Sequence, residues 1–217
     1  MTIEAKYEWR DKCLQMVDTQ LRARGICDKR IREAMCHLPR HQFVPEAYRA
    51  SAYDDRSLPV GHGQTISQPY MVAVMMAALE PKSSDSVLEV GTGSGYQAAL
   101  LSCLVDRVVT FEWVPELAEQ ARANLEELNI HNVKVYAGDG SLGTGGNERY
   151  EGIIIAAGAP MVPVELRDQL AEGGRLVIPL GSRWHQELTV IRRVGKVVEE
   201  DRREGCVFVP LQGQYAW

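Results

Sequence analysis

The chain has 217 residues, 45% hydrophobic and 24% charged, a balance that supports a full packed core and excludes bulk disorder. Its formal net charge is −5, so the basic surplus of a typical nucleic-acid binder is absent. The pairs Arg192-Arg193 and Arg202-Arg203 sit among Asp and Glu and read as solvated faces, and five scattered cysteines without C-x-x-C spacing argue against a disulfide framework and for a reducing cytoplasm.

The opening MTIEAKYEWRDKC is too charged for a secretory leader, and no apolar run reaches the roughly 18–20 residues of a membrane span. Residues 7–24 carry an amphipathic helical pattern with Gly25 as its stop. Asp28 stands as the N-cap of a second helix through Ile31, Ala34, Met35 and Leu38, ended by Pro39, and a short helix is expected over 46–52. The strip 61–70, GHGQTISQPY, has no Asp, Glu, Lys or Arg, and an apolar helical run over 71–79 follows it. It is either a turn and helix cap or a surface for a group that brings its own charge. One domain is expected over 1–217: residues 1–80 helical with this irregular strip, residues 81–217 the core.

From residue 86 the texture changes. Strands at 86–90, 107–112, 133–136, 152–157 and 175–180 alternate with helices at 96–104, 115–128 and 163–171, the last stopped by Gly173-Gly174. Such alternation predicts a mostly parallel sheet with helices on both faces. Strands at 187–193 and 206–209, with a polar turn around Gly195 and no helix between, predict an antiparallel edge.

At VLEVGTGSGYQ (87–97) a strand enters a helix through Gly91, Gly93 and Gly95, with Thr92 and Ser94 between. Open α/β sheets bind ligands at such strand ends, and glycines let the backbone approach without a Cβ clash. The spacing is G-x-G-x-G, one step short of the G-x-G-x-x-G dinucleotide fingerprint. No Lys-Ser/Thr follows, which excludes a Walker loop. Glu89, just ahead of the loop, suits a cationic ligand portion better than a pyrophosphate. Glu112, 21 positions after Gly91, is placed to accept hydrogen bonds from ribose hydroxyls. Asp139 either orients an adenine amino group or caps a turn. The set describes a nucleoside site that prefers positive charge, so S-adenosylmethionine fits better than NAD, and a nicotinamide oxidoreductase is the weaker reading. The five histidines are dispersed and no His/Cys cluster has ligand spacing, so no metal is expected.

The stretches AMCHLPRHQFVPEAY, GQTISQPYMVA, VLEVGTGSGYQAA, GGRLVIPLG and FVPL together resemble the protein-L-isoaspartate (D-aspartate) O-methyltransferase family over nearly the whole chain. The glycine loop is common to many methyltransferases; TISQP and PRHQFVP are far more specific. The resemblance implies a class I S-adenosylmethionine-dependent methyltransferase fold. That is a Rossmann-like three-layer α/β sandwich with a mostly parallel sheet, an antiparallel C-terminal edge and an N-terminal helical extension. It implies methyl transfer from S-adenosyl-L-methionine to the free α-carboxyl of an L-isoaspartyl residue, leaving S-adenosyl-L-homocysteine. The ester then collapses to a succinimide that partly reopens to aspartate, which is protein repair. The implied catalytic residue is Ser67. The implied cofactor set is Glu89, Gly91, Thr92, Gly93, Ser94, Gly95, Glu112, Trp113, Asp139 and Gly140; the implied substrate set is Gln64, Thr65, Ile66 and Val209. Expected partners are damaged proteins and peptides bearing L-isoaspartyl residues, with no nucleic acid or membrane, and a cytoplasmic monomer.

The chain departs from the family pattern at Trp113, where Arg is usual, at Tyr150-Glu151-Gly152-Ile153 in place of YDAI, and at AAGAP (156–160). These positions flank the cofactor cleft, and the altered surroundings of Trp113 and Gly152 motivate the alternative of a cofactor-binding interaction module without turnover.

The chemistry asks little of side chains. A carboxylate is already ionised at neutral pH, so the displacement needs no base. It needs alignment and the exclusion of water. A fixed counter-ion at the nucleophile would stabilise the ground state more than the transition state, so neutral donors serve better. Ser67 is the candidate hydroxyl, although Ser ahead of Pro69 is equally an ordinary helix cap. FVPL (208–211) reads either as groove lining that offers backbone hydrogen bonds or as a plain edge strand.

Overall fold

The computed structural model of the protein describes residues 3–195 and 197–217. Helix α1 (Ile3–Met16) runs on through a π-helical turn (Val17–Leu21) and a 3-10 turn (Arg22–Arg24) to Gly25, whose left-handed φ of 89° ends it. Asp28 caps α2 (Lys29–His37), its Oδ1 accepting from Arg30 N at 2.8 Å. Two 3-10 segments follow, Arg40–Phe43 and Glu46–Ser51, the second standing where a short helix was expected.

The strip at 61–70 is not irregular. Strands β1 (Leu58–Gly61) and β2 (Gln64–Ile66) pair antiparallel, Leu58 opposite Ile66, across His62 and Gly63. Both turn residues have positive φ, 52° and 72°, the two-residue hairpin geometry that matches strand twist. Helix α3 (Pro69–Leu79) starts directly after the hairpin and is apolar nearly all round, with Val72, Ala73, Met75, Met76 and Ala78 at or below 1% exposure, as a core helix requires.

The remaining elements are β3 (Ser86–Val90), α4 (Tyr96–Ser102), β4 (Arg107–Glu112), α5 (Pro115–Glu127), β5 (Val133–Ala137), β6 (Tyr150–Ile155), α6 (Val164–Asp168), β7 (Leu170–Ser182), β8 (His185–Val194) and β9 (Val197–Cys206). They give a seven-stranded sheet in the order β5-β4-β3-β6-β7-β8-β9. The first five strands in that order are parallel and the last two pairings are antiparallel. Period-two alternation makes the layers. Val87, Ile154 and Val177 enter one core with α3, α4 and the N-terminal helices, while Leu88, Ile153, Ile155, Leu176 and Ile178 enter the other with Leu166 of α6 and Leu211. Strand order reverses between β3 and β6, the place where such sheets open a crevice.

Two expectations are corrected here. The helix over 163–171 is only α6, and Gly173-Gly174 lie inside β7 rather than at a helix stop. Leu170 already pairs with Tyr150, and Arg175 with Gly152, so the irregularity between those pairs absorbs the glycines. The last strand is 197–206, not 206–209. Nearly all its side chains are exposed, so it carries no apolar alternation to read. Residues 207–209 lie outside any strand, and Pro210 bridges to Gly158 instead.

Candidate active site

The glycine loop leaves β3 at Val90 with Gly91, Gly93 and Gly95 at φ of 95°, 54° and 89°, conformations that L side chains rarely adopt. The amides of Gly91 and Thr92 both donate to the Phe111 carbonyl, at 2.8 and 3.2 Å. The Thr92 and Thr110 hydroxyls lie 2.6 Å apart, and Thr110 donates to Glu89 Oε2 at 2.6 Å. Glu89 is fully buried. Burial pushes its carboxyl up to about 8, the Thr110 bond only partly opposes that, and Oε1 has no partner among the described residues. Glu89 therefore stands behind the loop, not in the wall of the cleft.

Glu112 closes the loop from the end of β4. Its Oε2 accepts from Gly93 N at 2.7 Å and its Oε1 from Val114 N at 3.0 Å. Beside it the Trp113 indole is half exposed on the cleft wall. The cleft also takes in Gly91, Gly138, Gly140, Ala156 and Val209, and from the hairpin Gln64 and Thr65. A recess between hairpin and loop adds Ile66, Ser67, Thr92 and Ser94. A groove of about 480 Å³ then leads from Thr65 and Ser67 past Ala156, Phe208 and Val209 to Arg183, Trp184 and Val207. Thr65 and Ala156 line all three spaces, so cleft, recess and groove meet there. A larger cavity of about 820 Å³, between α1 and α2 around Trp9 and Val17, touches none of these residues.

Two residues resolve differently from one of their expected readings. Ser67 is not the cap of α3: the cap position is Gln68, with no side-chain cap bond. The Ser67 carbonyl accepts from Arg40 and its hydroxyl has no protein partner among the described residues. Asp139 is a cap. Its Oδ1 accepts from the Ser141 amide and hydroxyl at 2.9 and 2.6 Å, and its Oδ2 from Gln214 N at 2.8 Å. Its neighbours Gly138 and Gly140, not its carboxylate, line the cleft. Gly95 lies outside the lining too, packed where a Cβ would meet Ala121 Cβ at 3.3 Å.

Sequence reasoning missed Arg40. It is fully buried, donates from Nε to the Ala52 carbonyl at 2.7 Å and from Nη2 to the Ser67 carbonyl at 2.8 Å, and lies over the Tyr96 ring, 4.8 Å from its centroid. Burial pulls its pKa down from the usual guanidinium value. Phe43, from the same segment, meets the Tyr96 ring edge-on at 5.3 Å. The PRHQFVP stretch thus ties the hairpin to the first residue of α4. A buried Arg has no periodic signal; only the specificity of that stretch hinted at a task. Arg183, Trp184 and Val207 were missed for a similar reason, as exposed residues far apart in the chain, whereas Ala156 opens the AAGAP stretch expected to flank the cleft and does line it.

Comparison with known proteins gives a consistent picture. The family described as protein-L-isoaspartate(D-aspartate) O-methyltransferase matches residues 12–216. A protein-L-isoaspartate O-methyltransferase of Methanoregula boonei is 48% identical over 211 residues, 97% of each chain. One of Methanoculleus marisnigri is 50% identical over 204 residues, covering 94% of this chain and 92% of the relative. Among solved structures, a protein-L-isoaspartate O-methyltransferase superposes with a TM-score of 0.85 at 28% identity, over 95% of this chain and 67% of that one. A candidate protein-L-isoaspartate O-methyltransferase from Plasmodium falciparum, in complex with S-adenosyl-L-homocysteine, gives 0.79 at 25% identity, over 91% of this chain and 97% of its own.

Proposed function

The chain belongs to the protein-L-isoaspartate (D-aspartate) O-methyltransferase family, and from that premise we propose how its cleft and groove divide the work. The protein is a methyltransferase that uses S-adenosylmethionine to methylate the free α-carboxyl of L-isoaspartyl residues in proteins and peptides, the step that starts their repair. When bound, the cofactor supplies a methyl group on a sulfonium, and a carboxylate oxygen takes it by direct displacement.

The residues of the cleft fit that cofactor. A Cβ at Gly93 would have no neighbour within 4 Å, so the loop faces open space there. Gly91, Gly93, Gly138 and Gly140 present backbone, and each Glu112 oxygen keeps a lone pair beyond its loop bond for a ribose hydroxyl. Trp113 offers an aromatic face for an adenine, where Arg is the family's usual residue. Thr92, Ser94 and Gly95 shape the loop, and Glu89 acts through Thr110 and Thr92 rather than by contact. We assign Asp139 to holding the Gly138–Gly140 turn.

The observation that carries the catalytic assignment is Ser67. Its hydroxyl, unpartnered among the described residues, stands in the recess between the cleft and the groove, and among those residues neither Asp nor Glu lines either space around it except Glu112. Ser67 holds the isoaspartyl carboxylate through a neutral hydrogen bond, and Gln64, Thr65 and Ile66 wall it from water. Val209 offers backbone to the substrate peptide. No general base is required, because the nucleophile arrives ionised. The chain is taken to act as a monomer; its five free cysteines support a reducing, cytoplasmic setting. No helix among the described residues is long and apolar enough to cross a membrane.

The test is direct. Matched peptides that differ only in isoaspartate against aspartate are incubated with labelled S-adenosylmethionine. Label confined to the isoaspartyl peptide supports the reading; equal label in both, or none in either, overturns it.

A further inference from the structure

The far end of the groove has a composition unlike its centre. Strands β7 and β8 are joined by a two-residue turn, Arg183-Trp184, and the Trp184 side chain is 85% exposed there. The turn is well held: Ser182 Oγ accepts from the amides of Trp184 and His185, at 3.4 and 3.2 Å. Arg183 donates to the Trp217 carbonyl at 3.3 Å and lies 5.9 Å from the Trp217 ring centroid. Val207, 70% exposed, lines the same groove. An indole and a valine held in water on a short hairpin and beside the active groove form an apolar platform without a partner among the described residues. Arg183 is the one charged side chain among the described residues lining this groove, in a protein of net charge −5.

We propose that Trp184 and Val207 form a subsite for an apolar or aromatic side chain adjoining the isoaspartyl residue, and that Arg183 favours acidic over basic residues beside it. This rests on the reading of the groove as the isoaspartyl site. The occupant is a stretch of the damaged polypeptide itself. The platform is continuous with the space that holds Ser67, and the groove's single cation complements acidic substrate chain rather than basic. The enzyme would then select its targets by their neighbours as well as by the damaged residue.

The experiment uses isoaspartyl peptides whose flanking residue on either side is Gly, Phe, Glu or Lys, with wild type, Trp184→Ala and Arg183→Glu. Wild type is expected to show a Phe-to-Gly ratio of kcat/KM of roughly three to ten for one flank, carried by KM. Trp184→Ala brings that ratio to about one, and Arg183→Glu inverts the preference between Glu and Lys flanks. Thermal unfolding midpoints near wild type show that the variants fold. Equal Phe-to-Gly ratios in wild type and Trp184→Ala overturn the subsite while methylation of the Gly-flanked peptide leaves the reaction standing. Absence of methylation of every isoaspartyl peptide overturns the reaction, and the subsite with it.

Discussion

Replacing Arg40 by Met tests whether a buried cation holds the catalytic hairpin. Met keeps much of the aliphatic bulk over Tyr96 but removes both donors. The Ala52 and Ser67 carbonyls, now bonded at 2.7 and 2.8 Å, lose their partners. Each such charge-assisted bond is worth roughly 1.5–3 kcal/mol. Against that loss stands the relief of desolvating a guanidinium that has no carboxylate among its hydrogen-bond partners, which offsets part of it. The net cost expected is about 3 kcal/mol, which for a chain of this length lowers the unfolding midpoint by roughly 6–12 °C. Calorimetry measures the midpoint, and steady-state kinetics should show a raised KM for the isoaspartyl peptide, since the Ser67 carbonyl is the released group. Cofactor affinity should stay near wild type. A variant as stable as wild type, with unchanged KM, would refute the reasoning and make Arg40 a tolerated ion that an apolar isostere replaces freely.

Other consequences follow from the same geometry. A Cβ on Gly140 would lie 2.7 Å from Phe111 Cβ and 2.8 Å from Val90 Cγ1, so Gly140→Ala should destabilise by roughly 1–3 kcal/mol and weaken S-adenosylmethionine binding in titration calorimetry; unchanged affinity would remove Gly140 from the cleft. Glu89 has a folded-state pKa raised to about 8 from 4.5, so the folded protein binds the extra proton between those values and its stability falls as pH rises through that window, by up to ~1.4 kcal/mol per pH unit. Denaturant unfolding should therefore show the Glu89→Gln advantage over wild type widening between about pH 5 and 8, whereas a constant difference would mean that Glu89 is ionised in the fold.

The sheet was legible because its physics is local. Val87 and Leu88 enter different cores, as do Ile153 and Ile154, so the buried strands announce themselves as short, mostly apolar runs, interrupted in β3 by the buried Glu89. The glycine loop was legible because three positive-φ positions in five residues leave few alternatives to glycine. The hairpin over 58–66 was missed because its arms are short and Pro59 sits in one; the available signal was the His62-Gly63 pair. Strand β9 was missed because it is exposed on both sides. Within the site, the loop, Glu112 and the strip could be named from the sequence. Their meeting at Thr65 and Ala156, the Arg40 brace and the capping role of Asp139 depend on contacts between segments remote in the chain, which spacing does not encode.

A neutral hydroxyl in a charge-free strip holds the nucleophile while the cofactor binds elsewhere, and replacing Ser67 by Ala separates the two roles. Single-turnover methylation of an isoaspartyl peptide is measured alongside the dissociation constant for S-adenosylmethionine. The expected rate is lower by roughly ten- to a hundredfold, as loss of one hydrogen bond to a charged group implies, with cofactor affinity near wild type. A cofactor affinity that falls in parallel with the rate, or a rate that does not fall, would contradict it.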